Sequence, residues 1–215
     1  HCSVSWGRDE NMYIGQPSRN VTCSWILNAE CLLPHSCGIL IHGAGMDHTV
    51  WTLIARAFAW GGTPVLAIDL PGHGRSEGAP HASIGEAAAW VGRLMDAAGM
   101  PSAILVGHSM GAAIALEAGA LLGPRVTGLG LLGISASMAV HPALIEAAEK
   151  DPPRAHAMMT GWSLAPAARI GGNAAPGMWM SGGTMALLGR GQPGVLARDL
   201  AACNAWTSGL DAVRR

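Results

Sequence analysis

Ser109 is the residue of this chain whose neighbours best fit nucleophilic chemistry. It stands at the centre of the pentapeptide GHSMG at 107–111, after the apolar run 103–106 and before the alanine-rich run 112–118. This order predicts a strand, a sharp turn and a helix, because a glycine two positions to either side of the serine lets the turn close. The helix would direct N–H groups and the positive end of its dipole toward an oxyanion at the serine. Ser109 is therefore the predicted catalytic nucleophile.

Two further glycine-rich loops follow predicted strands upstream. The apolar run 38–41 leads into the loop HGAG, and the run 65–68 leads into the loop DLPGHGRS. Together with the pentapeptide around Ser109, these loops form three motifs in a consistent order. On these motifs the stretch 38–134 resembles the α/β-hydrolase superfamily, specifically its lipase- and esterase-like members with a serine nucleophile.

This resemblance implies an oxyanion hole made of two backbone N–H groups. One belongs to Met110, the residue after the nucleophile, and the other to Ala44, after the His-Gly pair of the first loop. The resemblance also implies the chain order serine, acid, histidine. His42 precedes the serine, so it is interpreted as an anchor of its loop rather than as the catalytic base. Asp69 is interpreted as a residue that orders the loop it opens.

The resemblance also implies an acid and a histidine downstream of Ser109, each in a loop after a strand. The carboxylates and histidines in that part of the sequence are Glu117, Glu146, Glu149, Asp151, Asp199, Asp211, His141 and His156. Neither histidine follows a predicted strand, so both are interpreted as surface histidines of a helical cap. The triad is incomplete in this sequence, and the chain is expected to be truncated before its catalytic acid and histidine.

The predicted fold class is α/β, a mostly parallel sheet flanked by helices, with a helical cap after the sixth strand. Near-continuous apolar runs predict strands that are covered on both faces, and helical periodicity bounded by glycine and proline predicts the intervening helices. The strands are predicted at 38–42, 65–69, 103–107 and 126–132, and the helices at 48–60, 83–98 and 110–122.

Three segments are expected along the chain. Residues 1–37 form an atypical N-terminal segment with one predicted strand at 24–27, and a misread reading frame is an alternative origin for this segment. Residues 38–134 form the α/β-hydrolase core, and residues 135–215 form the helical cap and the approach to a missing C-terminal core. The tryptophans and methionines of the cap would line an apolar pocket, or they would simply pack the cap onto the core.

Composition narrows the class of partner. The 215 residues are 50% hydrophobic and carry a formal net charge of −1, which offers no electrostatic attraction for nucleic acid. No apolar run reaches the roughly 20 residues of a membrane span, and no secretory signal is recognised at the N-terminus. The five cysteines form no Cys-x-x-Cys pair. We expect reduced thiols in a cytoplasmic protein, with the disulfides of a secreted protein as the alternative.

These features together predict a serine hydrolase that attacks a small apolar ester-like substrate and forms an acyl-enzyme on Ser109. No metal-binding or nucleotide-binding motif occurs, so neither a metal nor another cofactor is predicted. The alternative is a catalytically inactive hydrolase-fold binding module, because the acid and the histidine are absent from this sequence. A further possibility is a chain that folds poorly around an open, apolar sheet edge.

Overall fold

The structure is a computed structural model that describes residues 11–14, 21–26, 37–169 and 179–214. Its strands are β1 (Asn11–Ile14), β2 (Val21–Ile26), β3 (Cys37–Ile41), β4 (Val65–Ile68), β5 (Ala103–His108) and β6 (Val126–Leu132). They form one sheet in the order β1-β2-β4-β3-β5-β6. The pairs β4–β3, β3–β5 and β5–β6 are parallel, and the pairs β1–β2 and β2–β4 are antiparallel. The prediction of a mostly parallel sheet is confirmed.

The described helices alternate with the strands up to β6 and then follow one another. They are α1 (Thr52–Trp60), α2 (Ile84–Ala97), α3 (Met110–Leu122), α4 (Pro142–Lys150), α5 (Pro152–Ser163), α6 (Pro166–Arg169), α7 (Met180–Gly189), α8 (Val195–Ala205) and α9 (Gly209–Arg214). The helix predicted at 48–60 is a 3-10 turn, His48–Trp51, continued by α1. Ser83 begins α2 as its N-cap, since its hydroxyl accepts the Glu86 N–H at 3.2 Å.

The N-terminal segment is where the sequence prediction was wrong. The strand predicted at 24–27 is β2, which begins at Val21, and β1 was not predicted at all. β1 has four residues and starts with Asn11, a residue type depleted in strands, so its local pattern is too short to indicate a strand. The antiparallel pairing with β2 stabilises this strand, although its own residues do not favour one.

The inner strands β3 and β4 are buried on both faces, which explains their apolar residues. In β3, Ile39 and Ile41 belong to the larger core cluster, while Leu40 belongs to a second cluster with Trp51 and Ala55. Successive residues of a strand point to opposite faces, so this alternation assigns one cluster to each face. The larger cluster takes its helical side chains from α2, α3 and the later helices, and the smaller one takes them from α1 and the turn before it.

The predicted cap corresponds to the run of helices α4–α9, called the helical segment below. Its residues Leu144, Leu196 and Trp206 are buried in the larger core cluster. Trp206 also donates its indole N–H to Glu117 of α3 at 2.8 Å. Packing is therefore an established role of this segment. Trp162 and Trp179, by contrast, are 59% and 75% exposed.

Two cysteines can be described as thiols. Neither Cys37 nor Cys203 forms a disulfide, and burial raises the pKa of the Cys203 thiol to about 12. A thiol with that pKa is protonated and unreactive at neutral pH. The side chains of the other cysteines, and with them the disulfide alternative, lie outside the described residues.

Within the described ranges, no helix combines the length and apolar character that crossing a bilayer requires.

β6 is the outer strand of the described sheet, and its residues Leu129 and Leu132 are 43% and 42% exposed. This edge is the feature on which the prediction of poor folding rests.

Candidate active site

Ser109 occupies the turn between β5 and α3, as its motif predicts. Its φ is 54° and its ψ is −118°, and it is the only non-glycine residue with positive φ in the described part of the chain. A Cβ at Gly107 would overlap the Gly111 carbonyl, and a Cβ at Gly111 would overlap the Ile41 carbonyl. Both glycines are therefore required for the turn to close against the end of β3.

The conformation of Ser109 is strained, because positive φ costs a residue with a Cβ about 1–3 kcal/mol. We expect the free energy of unfolding of Ser109→Gly to be about 1 kcal/mol higher than that of Ser109→Ala, since glycine adopts this φ without steric cost. Urea denaturation of the two variants measures the difference. Equal stabilities would contradict the positive φ at this position.

The loop that carries Ala44 lies directly against Ser109. A Cβ at Gly43 would stand 3.4 Å from the Cβ of Ser109, so the two residues lie within van der Waals distance of each other. The loop closes as a turn in which Met46 N–H donates to the Gly43 carbonyl at 3.2 Å. Met110 is the first residue of α3, where backbone N–H groups have no partner within the helix. The structure thus brings Ser109, Met110 and the Ala44 loop together.

His42 ties this loop to the loop after β4. Its Nε2 accepts the Leu70 N–H at 3.1 Å, and its Nδ1 faces the Gly43 carbonyl oxygen at 2.9 Å. Since an amide N–H can only donate, Nε2 carries no proton and Nδ1 donates to Gly43. Burial, assisted by the neighbouring His73, lowers the pKa of His42 to about 4. This neutral, fully buried ring has the geometry of the loop anchor that the sequence predicts.

The protonation of His42 gives a measurable pH dependence. Its pKa is about 6.5 in the unfolded chain and about 4 in the folded chain, so its stabilising contribution is present above pH 6.5. That contribution decreases as the pH falls toward 4, by about 3 kcal/mol in all. Comparing the free energies of unfolding of the wild type and His42→Gln across this range isolates the effect. Parallel curves for the two proteins would contradict a buried neutral His42.

Asp69 orders the loop after β4, also as predicted. Its carboxylate accepts the His48 N–H at 2.8 Å and the Arg75 N–H at 3.1 Å, and it pairs with His48 Nδ1 at 2.9 Å. Burial acts to raise the pKa of Asp69, but the hydrogen bonds from His48 outweigh it and lower the pKa. Gly74, with a φ of 50°, lies so close to this carboxylate that a Cβ would overlap it.

A buried histidine–aspartate pair adjoins the site, and no role was predicted for either residue from the sequence. Asp199 of α8 accepts the Gly45 N–H at 2.8 Å and a hydrogen bond from His73 Nε2 at 2.8 Å. His73 Nδ1 faces the Pro71 carbonyl at 3.0 Å. Both ring nitrogens therefore face oxygen acceptors, which only the doubly protonated ring satisfies. Burial acts to lower the pKa of His73, but Asp199 outweighs it and raises the pKa.

One signal in the sequence could have revealed Asp199. The buried residues of α8 are Val195, Leu196, Asp199, Leu200, Ala202 and Cys203. Asp199 thus stands in the apolar phase of an amphipathic helix, where a carboxylate needs a partner. Its partner His73 is 126 positions away in the chain.

The family model of the alpha/beta hydrolase fold matches residues 39–168. This chain belongs to that family. Among solved structures, it is similar to a thermophilic esterase, with 24% identity, a TM-score of 0.62, and coverage of 95% of this chain and 68% of that one. It is also similar to the enol-lactonase from Burkholderia xenovorans, with 20% identity, a TM-score of 0.70, and coverage of 82% and 67%. At these identities the structural similarity shows the fold alone.

Two curated proteins match part of the chain. They are the dihydrolipoyllysine-residue acetyltransferase components of the acetoin cleaving systems of Pseudomonas putida and Cupriavidus necator, with 38% identity over 95 residues and 39% over 82 residues. The matches include 44% and 37% of this chain, and they span only 25% and 21% of those proteins. The activity in their names is therefore not carried over to this chain.

The two histidines of the helical segment in this alpha/beta hydrolase lie at the start of α4 and within α5. His141 is exposed, begins α4 as its N-cap and lies 5.6 Å from the ring of Trp162, centroid to centroid. His156 is half-buried, and burial lowers its pKa. Within the described residues, the Ser109 side chain makes no hydrogen bond to the start of α3, and no histidine bonds to it.

One side-chain cluster resembles a metal site by composition. Asp47, His48 and Asp69 each place a ligand atom within 4.8 Å of the others. Asp47 already accepts a hydrogen bond from the Arg190 guanidinium at 2.8 Å, and His48 Nδ1 already pairs with Asp69. The carboxylates of Asp47 and Asp69 thus already have hydrogen-bond partners, and the partner of Asp47 is the Arg190 cation. The cluster therefore links the loop after β3 to the loop after β4.

Proposed function

We propose that this protein is a serine hydrolase that cleaves a small apolar ester through an acyl-enzyme on Ser109. The observation that carries the proposal is the backbone of Ser109, whose φ of 54° is held between β5 and α3 although the residue is not glycine. Strain of this kind persists only where the surrounding structure enforces it, and it concentrates at functional sites. Here the backbone packs closely around the turn, and the glycines at 107 and 111 make that packing possible.

The proposed reaction has two steps. The Ser109 oxygen attacks the ester carbonyl carbon while a base takes the hydroxyl proton, and the alcohol leaves with that proton as the tetrahedral intermediate collapses. Water then attacks the acyl-enzyme and gives a proton to the base, and the base returns this proton to the Ser109 oxygen as the carboxylic acid leaves. The backbone N–H groups of Ala44 and Met110 would hold the oxyanion in both steps, because their loop and helix start adjoin Ser109.

The proposal requires a histidine base that is held by an acid. The described residues do not supply either group to Ser109. Reading the source locus through both ends of this reading frame tests the requirement directly. We expect the frame to encode a strand, a loop with an aspartate or glutamate, and then a later histidine.

A small recess beside Met110 is lined by apolar side chains, among them Leu70, Ile84 and Ile114, and by the His73–Asp199 pair. It has room for about one water molecule, so the acyl chain of a substrate would lie outside it. The esterase and the enol-lactonase share the fold, which supports an ester or lactone as the substrate class.

A hydrolysis assay distinguishes the proposal from its alternative. The product of the complete open reading frame should hydrolyse a p-nitrophenyl ester of a short fatty acid, and Ser109→Ala should not. A catalytically inactive binding module would bind such an ester without turnover. Binding without turnover, together with a reading frame that ends at Arg215, would favour the binding module over the enzyme.

A further inference from the structure

The hydrogen bonds of Asp199 connect three parts of the chain at the edge of the site. The residue belongs to α8 of the helical segment, and its side chain is 4% exposed. One carboxylate oxygen, Oδ2, accepts from the Gly45 N–H after β3 and from His73 after β4, both at 2.8 Å. A helix far along the chain thus contacts the backbone of the loop that carries Ala44.

The contact acts on the turn that orients Ala44. Gly45 has a φ of 66°, and a Cβ there would stand 2.8 Å from Leu196 Cδ1 and 3.4 Å from Leu188 Cδ2. The helical segment therefore covers this turn closely, and the positive φ of Gly45 favours glycine there. The peptide plane that joins Ala44 to Gly45 is held because its N–H points at Asp199. The plane that carries the Ala44 N–H is adjacent, and its carbonyl, that of Gly43, accepts the Met46 N–H at 3.2 Å, so hydrogen bonds hold both planes of the turn.

The pairing with His73 makes this a charge-assisted contact. A buried carboxylate without a partner would be costly, and the imidazolium of His73 offsets that cost. A carboxylate also accepts an amide N–H more strongly than a neutral oxygen does. The turn around Gly45 is consequently held by an ionised acceptor that sits on the helical segment rather than on the sheet.

A second contact from the helical segment to the same loop provides a matched comparison. Arg190, at the end of α7, donates to Asp47 at 2.8 Å and to the Thr49 hydroxyl at 3.0 Å. Its side chain is 58% exposed, and it does not bond to the Gly45 amide. Replacing Arg190 weakens the attachment of the helical segment without releasing the peptide of Gly45.

We propose that Asp199 is a positioning residue for the oxyanion hole, which it orients from the helical segment by holding the Gly45 N–H. This inference rests on the proposed function, since it concerns the Ala44 N–H in the same reaction. It makes the docking of α8 a condition for full activity. It also explains why a charged residue occupies the buried face of that helix.

The test uses the product of the complete open reading frame and ester hydrolysis at varied substrate concentration. We expect Asp199→Ala to lower kcat about tenfold or more with KM nearly unchanged, which is less than the ~10²–10³ that losing an oxyanion donor costs. Asp199→Asn keeps an oxygen that can accept the Gly45 N–H, so it should retain activity within about fivefold of the wild type. Arg190→Met should leave kcat within about twofold.

The amide proton resonance of Gly45 provides a readout that does not depend on turnover. A hydrogen bond to a carboxylate shifts this resonance downfield, so Asp199→Asn should move it upfield. This variant also serves if Asp199→Ala fails to fold. An unchanged resonance would overturn the contact. An unchanged kcat in a folded Asp199→Ala, or an Asp199→Asn as impaired as the alanine variant, would overturn the positioning role. A wild type that hydrolyses no ester would overturn the proposed function instead, whatever the resonance shows.

Discussion

Replacing Ser109 with alanine should abolish both ester hydrolysis and covalent labelling by a fluorophosphonate probe in the product of the complete open reading frame. The expected loss is at least about 10³-fold, because the acyl-enzyme cannot form without the serine oxygen. Labelling detected by mass spectrometry should place the adduct on the peptide that contains residue 109. The geometry behind this expectation is the strained turn that presents Ser109 at the start of α3.

Ser163→Ala is the matched control for the labelling experiment. Ser163 is exposed at the end of α5, and its hydroxyl bonds to the Met159 carbonyl at 2.7 Å within the helix. Its loss should leave labelling and hydrolysis unchanged. A complete protein that is folded but not labelled would contradict the nucleophile assignment and favour the binding module. Thermal melting of each variant separates loss of chemistry from loss of fold.

Replacing Gly111 with alanine should unfold the protein or destabilise it by more than about 4 kcal/mol. The new Cβ would overlap the Ile41 carbonyl and would stand 2.6 Å from the His42 carbonyl oxygen. Both obstacles are backbone atoms at the end of β3, which pairs with β4 and β5, so they cannot move without disrupting the sheet. Urea denaturation followed by circular dichroism measures the effect.

Gly161→Ala serves as the control for this substitution. Gly161 lies in α5, and its Cβ position meets no atom within 4 Å. Alanine there should be neutral or stabilise the protein by up to about 1 kcal/mol, because alanine favours helix more than glycine does. If Gly111→Ala unfolded at the same urea concentration as the wild type, α3 could not be packed against β3 as the structure has it.

The sequence predicted the elements around Ser109 closely because the signals there are local. The bounds of α3 agree with the predicted 110–122, and β6 agrees with 126–132. Short apolar runs bounded by turn residues mark the strands, and glycine and proline mark where helices stop. The pentapeptide itself reflects a steric requirement, since the two glycines stand where any side chain would strike the backbone.

The same sequence did not indicate β1 or the role of Asp199. β1 is four residues long and depends on its ladder with β2, so no local pattern distinguishes it. Asp199 meets Gly45 across 154 positions and His73 across 126. Only packing of α8 on the core brings these groups within hydrogen-bond distance.

The sequence by itself thus determined the family's strand–loop motifs, the position of the predicted nucleophile and the mostly parallel sheet. Each of these follows from hydrophobic periodicity and backbone sterics within about a dozen residues. The tertiary structure decided the protonation of His42 and His73 and the attachment of the helical segment to the Ala44 loop. Those properties depend on burial and on partners that are remote in the chain, and neither is a property of any local stretch of residues.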